Sequence, residues 1–350
     1  MTAANIEING RPIGSGLATY IVAELSSNHE QRYEDAVSMV HAAHEAGADA
    51  VKLQTYTADT ITIDSDLAHF QIRSGLWQGH TLYSLYEKAF TPWEWQPKLK
   101  ALADELGIDL FSAPFDDTAV DFLESMEVPV FKVASFENVD LPLLRRIART
   151  GKPIIMSTGM ATLAEIAEAV QTIRDAGGAQ LAILKCTSSY PASPEEMNLR
   201  TIPHMMEAFG VPVGLSDHTL GTAVPIAAVA LGATLVEKHF TLSRDTPGLD
   251  NPFSLEPHEF KSMVDSIRDV EKALGGVRYQ PTQGETRGRG NRRSLFVVQD
   301  IGAGEPFTCE NVRSIRPGNG LHTRHLDDVI GRHASRDIQR GTPLAWEQVG

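Results

Sequence analysis

The sequence predicts an α/β fold: a TIM-type (β/α)8 barrel followed by a small β-rich module. Three observations predict it. Eight short apolar runs alternate with helix-like stretches between Tyr20 and Leu274. That span, about 255 residues, matches such a barrel in repeat count and length. Most of the runs are continuously apolar rather than alternating, as strands covered on both faces should be. An open doubly wound sheet is the runner-up, but no Gly-x-Gly-x-x-Gly follows the first run to favour it.

The strands are expected at 20–24, 50–54, 109–112, 130–134, 153–157, 181–185, 213–216 and 235–239. Between them, 35–46 reads as a helix stopped by Gly47. Pro92 opens a helix over 93–106 that ends at Gly107. Thr162 caps 163–176, which stops at Gly177, and 222–231 is a small-residue, Ala-rich helix. The last barrel helix is expected at 257–274. One connection, 55–91, is unusually long. Its Leu76-Trp77 and Leu82-Tyr83-Ser84-Leu85-Tyr86 predict that it packs down and shapes a pocket.

After the last helix, 283–290 (Gln-Gly-Glu-Thr-Arg-Gly-Arg-Gly) reads as a linker by composition. The expected domains are therefore 1–282, a linker 283–290, and 291–350. The tail carries short β-like runs and Gly turns. About 60 residues make a marginal core, so the tail should dock on something.

Composition bounds the function. Of 350 residues, 42% are hydrophobic and 22% charged, as in globular proteins. No apolar run nears the roughly 20 residues that span a bilayer, and 1–16 lacks a basic-then-apolar secretory pattern. The only cysteines, Cys186 and Cys309, fall in different expected domains, which argues against a disulfide and for a reducing cytoplasm. A net charge of −14 argues against a nucleic-acid surface. The tail 291–350 has eight Arg, seven acids and no Lys, a pattern suited to bidentate oxyanion or sugar recognition.

Residues at barrel strand C-termini face one site. They give Glu24, Lys52 with Gln54, Ser112, Lys132 with Ser135, Ser157 with Thr158, Lys185, Ser216 with His218, and Glu237 with His239. His218 and His239 lie 21 residues apart, one βα unit, so both imidazoles should share a rim on adjacent strands. Two His with open positions suit Mn²⁺, Mg²⁺ or a similar ion better than a closed zinc site. The lysines Lys52, Lys132 and Lys185 would be half-buried, which favours an anionic ligand, with hydroxyls completing the cradle. Lys238, beside Glu237, is expected to pair with a neighbouring acid. An anion pocket beside a Lewis acid suits polarising a carbonyl while an enol-type nucleophile attacks it.

These residues fall in motifs that resemble the sialic acid synthase family. They are Ala23-Glu24-Leu25-Ser26-Ser27-Asn28-His29, Lys52-Leu53-Gln54-Thr55-Tyr56, Lys132-Val133-Ala134-Ser135 and Ser157-Thr158-Gly159-Met160. Cys186-Thr187-Ser188-Ser189-Tyr190-Pro191, Gly214-Leu215-Ser216-Asp217-His218 and Glu237-Lys238-His239-Phe240 follow in order. The tail, with Arg292-Arg293-Ser294-Leu295 and Ile315-Arg316-Pro317-Gly318, resembles that family's antifreeze-like (SAF) domain. Within the family, 82–87, 91–95 and Ser135-Phe136-Glu137 look most like the branch acting on 2,4-diacetamido-2,4,6-trideoxy-altrose. The branches making N-acetylneuraminate and legionaminate come next.

The resemblance implies a phosphoenolpyruvate-dependent synthase using an N-acetylated amino sugar and a divalent metal (Mn²⁺, Mg²⁺ or Co²⁺). It implies metal binding by His218 and His239 and phosphoenolpyruvate binding by Lys52, Lys132, Ser135, Ser157 and Ser216, with Gln54 also in the substrate site. Glu24 would orient the sugar or activate water, and Tyr190 and Asp250 would lie on the sugar side. Arg316 would reach a partner subunit's site in a domain-swapped homodimer. Two positions depart from relatives: Ala113 stands where some members carry Thr, and Ser188 where N-acetylneuraminate synthases carry Asn. The second argues against N-acetylmannosamine as substrate.

Overall fold

A computed structural model describes residues 5–350. The chain forms two compact units, Met1–Gly275 and Gly276–Gly350.

The first unit opens with an antiparallel hairpin, β1 (Ile6–Ile8) and β2 (Arg11–Ile13). Asn9 and Gly10, with φ of 49° and 78°, make the two-residue turn that right-twisted strands favour. Ile6, Ile8 and Ile13 are buried in one cluster with Tyr20, Val22 and Phe111. The Glu7 N–H donates to Gln180 (2.6 Å) and the Asn9 amide to Asp109 (2.9 Å), both at strand starts. The hairpin therefore plugs the N-terminal end of a barrel.

That barrel follows in chain order. It runs β3 (Tyr20–Glu24), α1 (Tyr33–Glu45), β4 (Ala50–Thr55), α2 (Ala58–Ile61), α3 (Leu82–Ala89) and α4 (Gln96–Leu106). Next come β5 (Asp109–Pro114), α5 (Asp117–Ser125), β6 (Phe131–Val133), α6 (Leu141–Ala148), β7 (Ile154–Ser157) and α7 (Leu163–Asp175). It ends with β8 (Leu181–Cys186), α8 (Thr201–Phe209), β9 (Val213–Asp217), α9 (Ala223–Ala230), β10 (Leu235–His239) and α10 (Pro257–Leu274). Strands β3 to β10 pair in sequence, all parallel, and β10 closes on β3 with Leu235 opposite Tyr20. Side chains alternate between interior and helix layer: Tyr20 and Val22 point in, while Ile21 and Ala23 pack with Met39, Val40 and Ile267.

Local signals set the helix starts. Thr162 and Glu165 cap α7 reciprocally, and the Asp116 carboxylate accepts the Thr118 and Ala119 N–H groups at α5. The helix expected over 93–106 begins as a 3-10 turn, Trp93–Trp95, before α4. Pro97 sits in the first turn of α4, where its missing N–H is tolerated.

The long 55–91 connection is ordered. It holds α2, α3 and a Gln71–Thr81 bridge, with Thr57 and Thr81 as caps. It is fastened to the barrel by Trp77 Nε1 donating to the Leu249 carbonyl (3.0 Å) and by His29 Nε2 with Thr91 Oγ1 (2.9 Å).

In the second unit, the stretch expected as a linker instead forms α11 (Gln283–Gly288), because Thr282 and Glu285 make a capping box. Strands β11 (Ser294–Val297) and β12 (Val312–Ile315) pair antiparallel, and α12 (Leu326–Val329) follows. Leu295, Val297, Phe307, Val312, Val329 and Leu344 form the small core.

Candidate active site

The C-terminal ends of the barrel strands open into a cavity of about 460 Å³. Glu24, Lys52, Gln54, Lys132, Ser135, Ser157, Tyr190, Ser216, His218, His239 and Asp250 all line it. Strand parity explains the convergence: Lys52 and Gln54 on β4, and Glu237 and His239 on β10, are two apart and share the inner face.

One side of the cavity is cationic. Lys52 Nζ lies 2.9 Å from Glu24 and 3.2 Å from Glu237. Lys132 Nζ donates to Ser157 Oγ (2.7 Å) and the Val133 carbonyl (2.9 Å), and among the described residues no carboxylate pairs with it. Burial lowers the Lys132 ammonium to about 8, against the pull of Glu237. Ser135 Oγ accepts the Gly159 N–H at 3.1 Å. A Cβ at Gly159 would fall 2.1 Å from Ser188 Oγ and 2.7 Å from Ser135 Oγ, so only glycine lets this loop close in. An anion reaching Lys132 would meet an ammonium, hydroxyls and loop amides together.

The two carboxylates are pushed apart. Burial raises Glu24 well above the usual carboxylate range, and Glu237 adds to it while Lys52 opposes. Glu237 stays below that range; burial resists its ionisation, but Lys132 and Lys52 outweigh it. Such a pair separates a proton-exchanging group, Glu24, from a fixed anion, Glu237. Gln54 Nε2 donates to Glu24 Oε1 (2.8 Å) and Ser26 Oγ (3.2 Å), and Ser26 and Ser27 donate to Asp250.

His218 and His239 are neighbours, with ring centroids 5.3 Å apart and planes inclined at 62°, and the Tyr190 ring lies 4.5 Å from His218 at a tilt of 46°. His218 Nδ1 contacts the Thr187 carbonyl at 2.9 Å, which leaves Nε2 for a ligand. His239 is buried, which disfavours its charge; its Nδ1 has no hydrogen-bond partner among the described residues. Among the described residues no three His, Cys, Asp or Glu side chains converge as a metal cage. With Nε2 of His218 free and Nδ1 of His239 unpartnered among these residues, the two imidazoles could hold an ion that keeps open positions for water and substrate oxygens.

The opposite wall is apolar and comes from the long loop: Ile61, Ile72, Trp77, Leu82, Leu85 and Tyr86. Glu137 also lines the cavity. Its Oε2 is buried without a partner, and burial raises its carboxyl to about 7.

Some expectations change. Lys185 does not reach the cavity. Strand β8 runs through Cys186, so Cys186 points in and Lys185 points out, its Nζ on the Cys186 carbonyl (2.8 Å) and Thr187 Oγ1 (3.1 Å). It lines a separate cleft with Ser188 and His204. The expected lysine trio is thus a pair. Lys238 does pair with a neighbouring acid, as expected, and that acid is Asp217 on the adjacent strand. Arg316 belongs to the second unit, exposed just after β12. Glu237 lines the cavity as its strand-end position predicts, and Ser26 and Glu137 join the site unexpectedly, each two residues from an expected site residue.

Comparisons with known proteins agree with this geometry. The NeuB family model matches residues 39–279 and the SAF domain model residues 292–350. The pseudaminic acid synthase of Campylobacter jejuni is 44% identical over 325 residues, covering 93% of this chain and 95% of the relative. That of Helicobacter pylori is 44% identical, covering 94% and 97%. An N,N'-diacetyllegionaminic acid synthase of Legionella pneumophila is 37% identical, covering 99% of each. Among solved structures, the Bacillus subtilis spore coat polysaccharide biosynthesis protein spsE has a TM-score of 0.68 at 36% identity, covering 99% of each chain. The N-acetylneuraminic acid synthetase of Leptospira borgpetersenii has a TM-score of 0.73 at 28% identity, covering 82% of this chain and 95% of its own. The chain belongs to the NeuB family, the sialic acid synthases, and ends in a SAF domain.

Proposed function

We propose that the chain is a pseudaminic acid synthase. It condenses phosphoenolpyruvate with 2,4-diacetamido-2,4,6-trideoxy-β-L-altropyranose and water to give pseudaminate and phosphate. The observation that carries this is one cavity with a cationic cradle, a pair of neighbouring histidines and an apolar outer wall. The likeness to pseudaminic acid synthases over 93% of the chain supports the choice of sugar.

The residues take these roles. Lys132, Ser135 and Ser157 hold the phosphate and carboxylate of phosphoenolpyruvate, with Lys52 and Ser216 beside them. The pyranose ring opens to its aldehyde; carbon 3 of phosphoenolpyruvate then attacks the carbonyl carbon, the carbonyl π pair becomes a hydroxyl by taking a proton from solvent water, and carbon 2 becomes cationic. Glu24, positioned by Lys52 and Gln54, takes a proton from the water that adds to carbon 2. Phosphate then leaves from the tetrahedral adduct. Glu237 remains ionised and offsets the lysines. Tyr190 and Asp250 face the sugar, and its methyl groups meet the apolar wall. His218 and His239 would hold a divalent cation (Mn²⁺, Mg²⁺ or Co²⁺), which when bound supplies polarisation of the aldehyde oxygen. The enzyme acts as a homodimer in which Arg316 of the partner subunit reaches the sugar side. It works in the cytoplasm; no described helix is long and apolar enough to cross a membrane.

The test is phosphate release together with product mass. Phosphate should appear only when both substrates are present, and chelation should stop it. Phosphate release from phosphoenolpyruvate alone would overturn the condensation.

A further inference from the structure

We propose that the buried Asp217–Lys238 ion pair is a positioning device that sets His218 and His239 against each other for the divalent cation. The proposal rests on the metal role given above to those histidines.

The backbone ladder between β9 and β10 ends at Asp217 opposite Lys238. His218 lies one residue past that last rung, so the sheet alone does not fix it. The ion pair takes over at that point. Lys238 Nζ donates to Asp217 Oδ2 and also to the Thr219 carbonyl. The Asp217 carboxylate in turn accepts the Thr219 N–H (3.0 Å) and hydroxyl (3.1 Å). One ammonium therefore holds the residues on both sides of His218, and it sits on the residue directly before His239. The His218 carbonyl is held separately by the Ala192 N–H at 2.9 Å.

Both charged side chains are fully buried, at 0% exposure. Neither lines the cavity, because strand parity turns them to the helix layer while Ser216, Glu237 and His239 turn inward. Neither is a catalytic residue. A buried ion pair is weak evidence for stability, since apolar side chains of similar volume often do as well. What an apolar pair cannot do is hold the Thr219 carbonyl and N–H together. The distinctive product of this pair is geometry at His218. Partners that orient metal-binding histidines characteristically change metal affinity by about 10- to 100-fold when removed.

Two double variants test this: Asp217→Asn with Lys238→Gln, and Asp217→Leu with Lys238→Met. Mn²⁺ affinity is read from the free-ion electron paramagnetic resonance signal, phosphoenolpyruvate affinity by calorimetry without metal, and folding by circular dichroism and melting. Both variants should fold and bind Mn²⁺ at least about tenfold more weakly. Their phosphoenolpyruvate affinity should stay within about twofold of the original chain, because Lys132 and Ser157 sit on β6 and β7 and Ser216, though next to Asp217, turns to the opposite face of β9. A folded variant with unchanged Mn²⁺ affinity would overturn the proposal. So would parallel loss of Mn²⁺ and phosphoenolpyruvate affinity, or failure of both variants to fold, each of which marks a general structural role. His218→Ala is the control: if it leaves Mn²⁺ affinity unchanged, the metal role itself fails and the proposal with it.

Discussion

The two walls of the cavity are built differently. The reacting wall is made of side chains at strand ends: Glu24 on β3, Lys52 and Gln54 on β4, Lys132 on β6, Ser157 on β7, and His239 on β10. Most are held by a barrel neighbour through a short polar contact, such as Lys132 to Ser157 or Gln54 to Glu24. The facing wall is made of loop side chains, mainly apolar, fastened to the barrel by a few bonds such as Trp77 to Leu249. The difference separates two tasks. Chemistry sits where rigid strands hold charges in fixed relation. Choice of sugar sits on a loop that can vary without disturbing the barrel.

The sharpest way to break this division is at Glu24. Glu24→Gln keeps the shape and the Gln54 contact but removes the proton acceptor. Turnover should fall about a thousandfold, within the usual range for general-base loss, with the sugar KM nearly unchanged. Steady-state kinetics decide it; near-normal turnover would remove Glu24 from the mechanism.

The pH profile probes the same wall. Lys132 must be protonated to hold an anion, and burial brings it to about 8. Glu24 must be ionised to accept a proton, and its affinity for protons is raised. The kcat/KM for phosphoenolpyruvate reports the free enzyme. It should therefore fall as pH rises through about 8, and fall on the acid side above the ordinary carboxylate range. Lys132→Arg should move the alkaline limb upward. A profile flat across pH 7 to 9 would contradict the Lys132 assignment, and an acid limb no higher than an ordinary carboxylate's would contradict that of Glu24.

Glu137 lines the cavity close enough to Tyr86 of the loop wall to influence it, and Glu137→Gln should raise the sugar KM by about tenfold, a typical size for one pocket contact. The phosphoenolpyruvate KM should stay within about twofold. The reverse pattern would place Glu137 with the anion cradle. The smallest effect is expected at Lys185→Ala, because the side chain points out of the barrel. Its kcat/KM should stay within about twofold for both substrates, a change no larger than an ordinary surface substitution causes.

The same contrast governs what the sequence makes legible. Apolar runs and strand parity are enough to locate Glu24, Lys52, Lys132, Ser157, His218 and His239, because a parallel barrel turns every second strand-end residue toward one mouth. Parity is also where an error enters. Lys185 closes the apolar run and so reads as the mouth-facing residue, whereas alternation along β8 turns Cys186 inward and Lys185 outward. Glu237 shares the parity of His239 and needs no further signal. The loop wall is different: Ile61, Ile72 and Leu82 come together only through α2, α3 and the Gln71–Thr81 bridge, and no local period announces that. The N-terminal hairpin has a local signal, Asn9-Gly10 between alternating isoleucines. Its burial follows only from a barrel end that needs filling.

The most direct test of the central claim is a kinetic panel of sugars with phosphoenolpyruvate held fixed. If the strand ends do the chemistry and the apolar loop wall selects the doubly N-acetylated 6-deoxy sugar, kcat/KM for 2,4-diacetamido-2,4,6-trideoxy-altrose should exceed that for N-acetylmannosamine by about a hundredfold or more. Equal or greater efficiency with N-acetylmannosamine would contradict the account.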